Sequence, residues 1–422
     1  MDILHLAPRF WPALGGAEAH IAALSQRFVA DGHRVTVVTT TAHHLDAFWR
    51  RGSATLPAGE TTHAGVRILR FPIRHLPAPG LAFPLGRRAI WLLARSGLPV
   101  DWVHGAADFV PWLPALTQWL ATTPEHFDVV GGFSLVFEAL CHAGLRFAER
   151  RGLPFVLTPF THLGAGPHPG ADAPSRFYTM RHQHASARRS RALVAMTPTE
   201  ADYYVGIGVA PAHIHVIGSG VTPAQVLGGD GAALRARLNL SGPIVAYLNA
   251  MAYDKGAMTT VVALRQLWDA GETVHLVMAG AVMADFQHFL AQLPPAVRGR
   301  VIVLGPIDDA TKRDLLAACT LLVAPSRIDS FGIVFLEAWL YGKPVIGSTA
   351  WGMADVISDG EDGLLVPFGD AGALAAAVAR LLHDPALAAQ LGATGMAKVY
   401  AQHTWERKYA LLRDLYIAQA VR

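Results

Sequence analysis

The stretch Ala324-Pro325-Ser326-Arg327-Ile328-Asp329-Ser330-Phe331-Gly332-Ile333-Val334-Phe335-Leu336-Glu337-Ala338, followed by Tyr341-Gly342-Lys343-Pro344-Val345-Ile346-Gly347, reads as strand, loop, helix, turn and strand. The pattern predicts a helix beginning near Ser330 or Phe331 and stopped by Gly342 and Pro344. The first turn of such a helix directs unpaired backbone N–H groups and partial positive charge outward, which suits a diphosphate. Ser330, Phe331, Gly332 and Ile333 are therefore candidate phosphate-facing positions. Asp329 stands in the loop before the helix, and Glu337 follows eight residues later inside it. One carboxylate is thus placed at the helix mouth and one along its wall, where each can accept hydrogen bonds from vicinal sugar hydroxyls. An isolated Glu337 would read as a surface acid or a partner of Lys343; the surrounding strand–loop–helix context favours ligand contact.

Outward from this segment, apolar strand-length runs recur at 244–248, 275–278, 301–304, 321–324, 345–347 and 364–366, separated by helix-length stretches. An earlier series occupies 3–6, 35–38, 66–71, 129–131, 155–158, 192–196 and 215–217. Strands alternating with connections of a dozen or more residues indicate parallel sheets covered on both faces, so two doubly wound α/β domains are expected. The glycine-containing stretch 218–242, poor in large apolar residues at its start, is the expected connection. The division is then 1–220, 221–400 and a terminal helix, 401–422, whose Trp405, Tyr409, Leu412 and Tyr416 recur at helical spacing and pack back on the N-terminal domain.

The composition agrees with a two-domain globular chain. A length of 422 residues exceeds one ordinary core, and 52% hydrophobic against 16% charged residues excludes disorder. The two cysteines, Cys141 and Cys319, match no metal-ligand spacing or disulfide framework. The Met1-Asp2-Ile3-Leu4-His5 start lacks the pattern of an export signal, and no run of 18 apolar residues follows, so the expected location is the cytosol. Before residue 220 the chain has 19 Arg and no Lys against 14 acids. Clusters at Arg87-Arg88, Arg146 with Arg150-Arg151, and Arg181 with Arg188-Arg189-Arg191 suit solvated helix faces, a phosphorylated acceptor or peripheral contact with the inner face of an anionic membrane. Nucleic-acid binding is disfavoured, because no recognisable module or interleaved aromatics accompany the charge.

The Asp329-to-Glu337 spacing in this context resembles the E-x7-E signature of the retaining GT-B glycosyltransferases of family 4, and the resemblance extends over nearly the whole chain. It implies two Rossmann-like domains facing across a cleft, with nucleotide sugar held mainly by the second. Glu337 matches the family's second acid, implying a ribose contact; Asp329 stands at the first, one methylene shorter. In the N-terminal loop Pro8-Arg9-Phe10-Trp11-Pro12-Ala13-Leu14-Gly15-Gly16, the resemblance makes Gly15 and Gly16 candidates for contact with donor phosphates and acceptor, since glycine lets backbone approach a ligand closely. Tyr253-Asp254-Lys255-Gly256 resembles the family's Lys-Gly element, implying that the Lys255 ammonium neutralises the departing diphosphate. His162, after Leu157-Thr158-Pro159-Phe160-Thr161, corresponds to a family histidine that contacts the transferred sugar. Ile307, after Gly305-Pro306, lies in the loop that contacts the base.

One departure stands out. Relatives carry an arginine five residues before this lysine, whereas this chain has Ala250, next to Asn249. Arg327 or a backbone donor would have to replace it; otherwise nucleotide binding is weak or catalysis is lost. The resemblance implies a metal-independent hexosyltransferase without a cofactor, moving a sugar from a UDP- or GDP-linked donor to a hydroxyl of a glycan, lipid or small molecule. Lys255, Asp329 and His162 are the candidate catalytic residues. Two other readings are a nucleotide-sugar-binding regulatory protein without turnover and, on the same double fold, a sugar-phosphate phosphorylase or epimerase.

Overall fold

The structure is a computed structural model that describes residues 1–421. It divides into two compact units. The first comprises Met1–Thr161, Asp172–Gly218 and the chain from Lys408 on; the second comprises His162–Ala171 and Ser219–Arg407.

The first unit is built on an eight-stranded sheet of β1 (Asp2–Leu6), β2 (Arg34–Thr40), β3 (Gly59–His63), β4 (Val66–Phe71), β5 (Val129–Phe133), β6 (Phe155–Thr158), β7 (Ala192–Ala195) and β8 (Ile214–Val216). Their spatial order is β3-β4-β2-β1-β5-β6-β7-β8. All pairings are parallel except β3 with β4. The central strands are buried on both faces, which is why they read as continuous apolar runs. The sequence pattern does not reveal β3, because Gly59-Glu60-Thr61-Thr62-His63 carries no large apolar residue. It forms at the sheet edge through a tight hairpin in which Ala64 and Gly65 both take positive φ, 47° and 77°. The terminal helix Trp405–Ala420 supplies the unit with Tyr409, whose hydroxyl donates to Asp31 at 2.7 Å, and Tyr416, edge-on to His5.

The second unit has a six-stranded, wholly parallel sheet of β9 (Ile244–Leu248), β10 (His275–Ala279), β11 (Val301–Gly305), β12 (Leu321–Val323), β13 (Val345–Ser348) and β14 (Leu364–Val366). The order β11-β10-β9-β12-β13-β14 reverses direction between β9 and β12. In sheets of this type that reversal leaves a crevice beyond the carboxyl ends of the two strands, where ligands bind. The loops after β9 and β12 carry Lys255 and Asp329. Among the described residues no helix is long and apolar enough to cross a membrane.

Candidate functional site

At the end of β9, Asn249 and Ala250 lead into the short 3-10 turn Tyr253–Lys255. Gly256 follows with φ 75°, and a Cβ there would lie 2.4 Å from the Pro325 carbonyl oxygen. The lack of a side chain therefore lets the loop after β9 close against the loop after β12. Two further donor groups hold this geometry. The buried Tyr247 hydroxyl shares its one proton between the carbonyls of Ala250 at 2.9 Å and Lys255 at 3.1 Å, and the Arg327 backbone N–H donates to the Asp254 carbonyl at 2.9 Å.

This packing brings two of the expected residues together. Lys255 Nζ donates to Asp329 Oδ1 at 2.8 Å and to the Ile328 carbonyl at 3.0 Å. Asn249 Nδ2 donates to the other carboxylate oxygen of Asp329 at 3.2 Å, while its own Oδ1 accepts the Ala250 N–H at 2.9 Å. Burial pushes the Asp329 carboxyl up, but the Lys255 charge and hydrogen bond outweigh it and hold the group below its ordinary value. An ammonium has three donors, and two are engaged here, so one N–H remains for an incoming phosphate oxygen.

His162 belongs to the same unit, as the first residue of the segment His162–Ala171. Burial lowers its pKa to about 3, the Lys255 cation pushes it the same way and Asp329 opposes. The imidazole is therefore neutral near pH 7, a donor or acceptor for hydroxyls rather than a cation. The segment is anchored by Trp351, whose backbone N–H donates to the Gly164 carbonyl and whose indole N–H donates to the Gly166 carbonyl, both at 2.9 Å.

The helix after Asp329 begins later than the sequence pattern predicts. It spans Ile333–Leu340, with Gly332 as its N-cap at φ 85°. Ser330 and Phe331 lie before it. A left-handed cap residue strongly favours glycine, and a Cβ at 332 would lie 2.7 Å from the Phe335 ring. No side chain caps this end, so its first N–H groups point outward from the start of an eight-residue helix. Glu337 sits about 6 Å along the helix from Ile333. Its carboxylate accepts from Lys312 Nζ at 2.7 Å, not from Lys343. Lys312 also reaches Asp309 at 3.5 Å; burial lowers its pKa, but the two acids win and raise it overall. It lies on the helix Asp309–Ala318, capped by Asp308, and the half-buried Ile307 directly precedes that cap.

Arg327 is fixed elsewhere. Its guanidinium pairs with Asp254, Nε to Oδ1 at 2.7 Å, and lies over the rings of Tyr253 and Phe368 at 5.3 and 5.0 Å. In the first unit, Gly15 and Gly16 open the helix Gly16–Ala30, whose end also lacks a side-chain cap. Both are exposed. A Cβ on Gly15 would fall 2.0 Å from Glu18 Oε2, so glycine makes room for Glu18 to fold over the helix mouth and pair with Arg9 at 2.7 Å.

Residues absent from the sequence reading are Tyr247, Asn249 as a carboxylate partner, Lys312 and Trp351. Lys312 carried one available signal, since the chain has only five lysines and this one stands three residues after Asp309 on a helical pattern. Trp351 carried none, because its partners are 185 and 187 positions away in the chain.

Two family models match this chain: a glycosyl transferase 4-like domain over residues 15–220 and glycosyl transferases group 1 over residues 242–384. The chain belongs to the family 4 glycosyltransferases of GT-B fold. Among curated relatives, this glycosyltransferase is 27% identical to D-inositol 3-phosphate glycosyltransferase of Xylanimonas cellulosilytica, covering 99% of this chain and 96% of the relative. Among solved structures it resembles sucrose-phosphate synthase from Thermosynechococcus elongatus, at 22% identity and TM-score 0.73, covering 99% of this chain and 98% of the other. Anabaena HepE in complex with UDP-glucose gives TM-score 0.71 at 18% identity, covering 99% and 100%. At these identities the structural likeness establishes the shared fold.

Proposed function

We propose that this glycosyltransferase moves a hexose, with retention at the anomeric carbon, from a UDP- or GDP-linked donor to a hydroxyl of a glycan, lipid or small molecule. The observation that carries the reading is the convergence, within the second unit, of the Lys255 ammonium, the Asp329 carboxylate and the uncapped start of the Ile333–Leu340 helix. The helix N–H groups and the third donor of Lys255 receive the diphosphate. Glu337 takes the ribose hydroxyls, and Asp329 with the neutral His162 orients hydroxyls of the sugar. The name of the inositol phosphate relative and the UDP-glucose seen in HepE support a nucleotide-sugar reading.

In the reaction, an acceptor oxygen forms a bond to the anomeric carbon while the bond from that carbon to the β-phosphate oxygen breaks. The electron pair leaves with the diphosphate, where Lys255 and the helix N–H groups stabilise it. The leaving phosphate oxygen takes the acceptor proton, so no separate base is required. Gly15 and Gly16 start the Gly16–Ala30 helix of the first unit without a side-chain cap, so backbone alone is offered to a ligand there.

A second reading, nucleotide-sugar binding without turnover, draws on Ala250, which supplies no cation, and on Arg327, which is held by Asp254. One experiment separates the two. The purified protein is offered UDP-, GDP- and ADP-sugars with candidate acceptors, and free nucleoside diphosphate and thermal stabilisation are followed together. Transfer requires both signals with at least one donor, binding alone gives stabilisation only, and neither signal with any donor refutes both.

A further inference from the structure

The arginine clusters that stand out in the sequence are largely absorbed into the fold. Arg87 is buried, with its Nη1 at 2.7 Å from both carboxylate oxygens of Glu138. Arg150 and Arg151 donate to the Leu120 and Thr123 carbonyls, Arg188 donates to the Ile207 carbonyl, and Arg189 pairs with Glu149. Arg146 and Arg191 are also exposed, but Arg88 and Arg95 share one helix, Pro79–Arg95, with exposed leucines. Leu81, Leu85 and Leu92 are 69%, 63% and 54% exposed, and Arg88 and Arg95 are exposed with them. Their spacing, i, i+4, i+7, i+11 and i+14, puts all five on one stripe of the helix. The opposite stripe, Arg87, Ile90 and Ala94, is buried.

The stripe has an aromatic flank. The half-buried Trp91 lies between two guanidiniums, Arg95 at 5.0 Å and Arg176 at 5.3 Å from its ring. The adjoining helix Val100–Ala107 carries Trp102, 69% exposed. Charge on the helix itself is one-sided: Pro79–Arg95 carries Arg87, which Glu138 neutralises, and the exposed Arg88 and Arg95, with no acid on it; exposed Asp101 follows on the adjoining helix. The occupant of this surface must therefore accept leucine and be anionic. A second copy of the chain would set arginine against arginine, which opposes association. Leucines and arginines in one helical stripe, flanked by tryptophan, are the pattern of a helix lying in a lipid headgroup layer, where apolar groups reach the acyl boundary and guanidiniums meet phosphates.

We propose that the outward stripe of the Pro79–Arg95 helix docks on an anionic lipid surface. The stripe is independent of the donor-site reading, because none of its residues belongs to the proposed reaction machinery.

The test is flotation of the full-length protein with vesicles of phosphatidylcholine alone or mixed with phosphatidylglycerol, at low and high salt. Binding is expected to the mixed vesicles only, weakening as salt screens the headgroups. Arg88→Gln and Arg95→Gln should each lower the partition coefficient about fivefold. Leu85→Gln and Leu92→Gln should lower it several-fold at every salt concentration, with donor-dependent nucleotide release unchanged. Four results would each overturn the proposal: no flotation, equal flotation on both vesicle types, variants indistinguishable from wild type, or dimers abolished by Leu85→Gln without vesicle binding. Thermal unfolding checks the variants, and should a leucine variant misfold, the arginine and salt arms still decide.

Discussion

Replacing Lys255 by alanine has consequences that can be worked out from its two hydrogen bonds. In the resting site the ammonium neutralises Asp329 at 2.8 Å, and the side chains are only 17% and 23% exposed. Removing it leaves the carboxylate with the side chains of Asn249, at 3.2 Å, and Ser326 as donors. A partly buried carboxylate stripped of its cation costs about 1–3 kcal/mol of stability, below the value for a fully buried pair because water still reaches the site. Because Lys255 holds the Asp329 pKa down, the wild-type pair stabilises the protein above the unfolded carboxylate pKa, and this contribution is lost as pH falls through the lower folded value. Catalysis should suffer more. Loss of one preorganised donor to the charge that develops on a leaving group costs about 10²–10³ in kcat, roughly 3–4 kcal/mol. The assay is donor-dependent release of nucleoside diphosphate, with unfolding by urea measured alongside. The double variant Lys255→Ala with Asp329→Ala should recover part of the stability, because no unpaired charge remains, yet none of the activity. If Lys255→Ala kept release within about threefold of wild type, the reasoning would be refuted.

Other substitutions probe separate parts of the site. Glu337→Gln keeps the shape but weakens both the Lys312 pair and the ribose contact, so donor affinity should fall by about tenfold with little change in kcat, read as a rise in KM. Gly256→Ala forces a Cβ to within 2.4 Å of the Pro325 carbonyl at a φ of 75°, and should cost about 2 kcal/mol or more in chemical denaturation while shifting Lys255. The protein should also be acid-labile. Burial lowers His5 and His20 to about 3 and His104 to about 2, so the native state stays neutral where the unfolded chain takes up protons below about pH 6.5. Each then costs roughly 2 kcal/mol at pH 5, and Glu200, raised to about 7 by burial, offsets about one of them. His104 lies in stacked contact with His142, and among the described residues neither of its ring nitrogens has a hydrogen-bond partner. Replacing it with phenylalanine should narrow the gap between stability at pH 7 and pH 5; an unchanged gap would contradict this assignment.

The double α/β fold was legible because buried parallel strands must be apolar on both faces, and β4, β6, β9 and β14 lie at the bounds their sequences indicate. The polar edge strand β3 was not legible, since an edge needs no apolar pattern. At the site, Lys255 and Asp329 could be found by their loops, as each follows a strand end. The start of the helix could not be fixed, because the choice between Ser330 and Ile333 depends on Gly332 adopting a left-handed conformation beneath the Phe335 ring. Likewise, Glu337 has charged partners at several sequence distances, and only packing of the Asp309–Ala318 helix selects Lys312 over Lys343. Arg87 shows the same limit in reverse: a basic pair in sequence resolves into one buried ion pair and one exposed charge.

The most direct measurement is a crystal of the full-length protein soaked with an uncleaved analogue of a nucleotide-diphosphate sugar. The diphosphate is expected at the N-terminus of the Ile333–Leu340 helix within hydrogen-bond reach of Lys255 Nζ, with the ribose hydroxyls on Glu337. A nucleotide bound anywhere else, with Lys255 still held by Asp329 and Ile328 alone, would contradict the assignment.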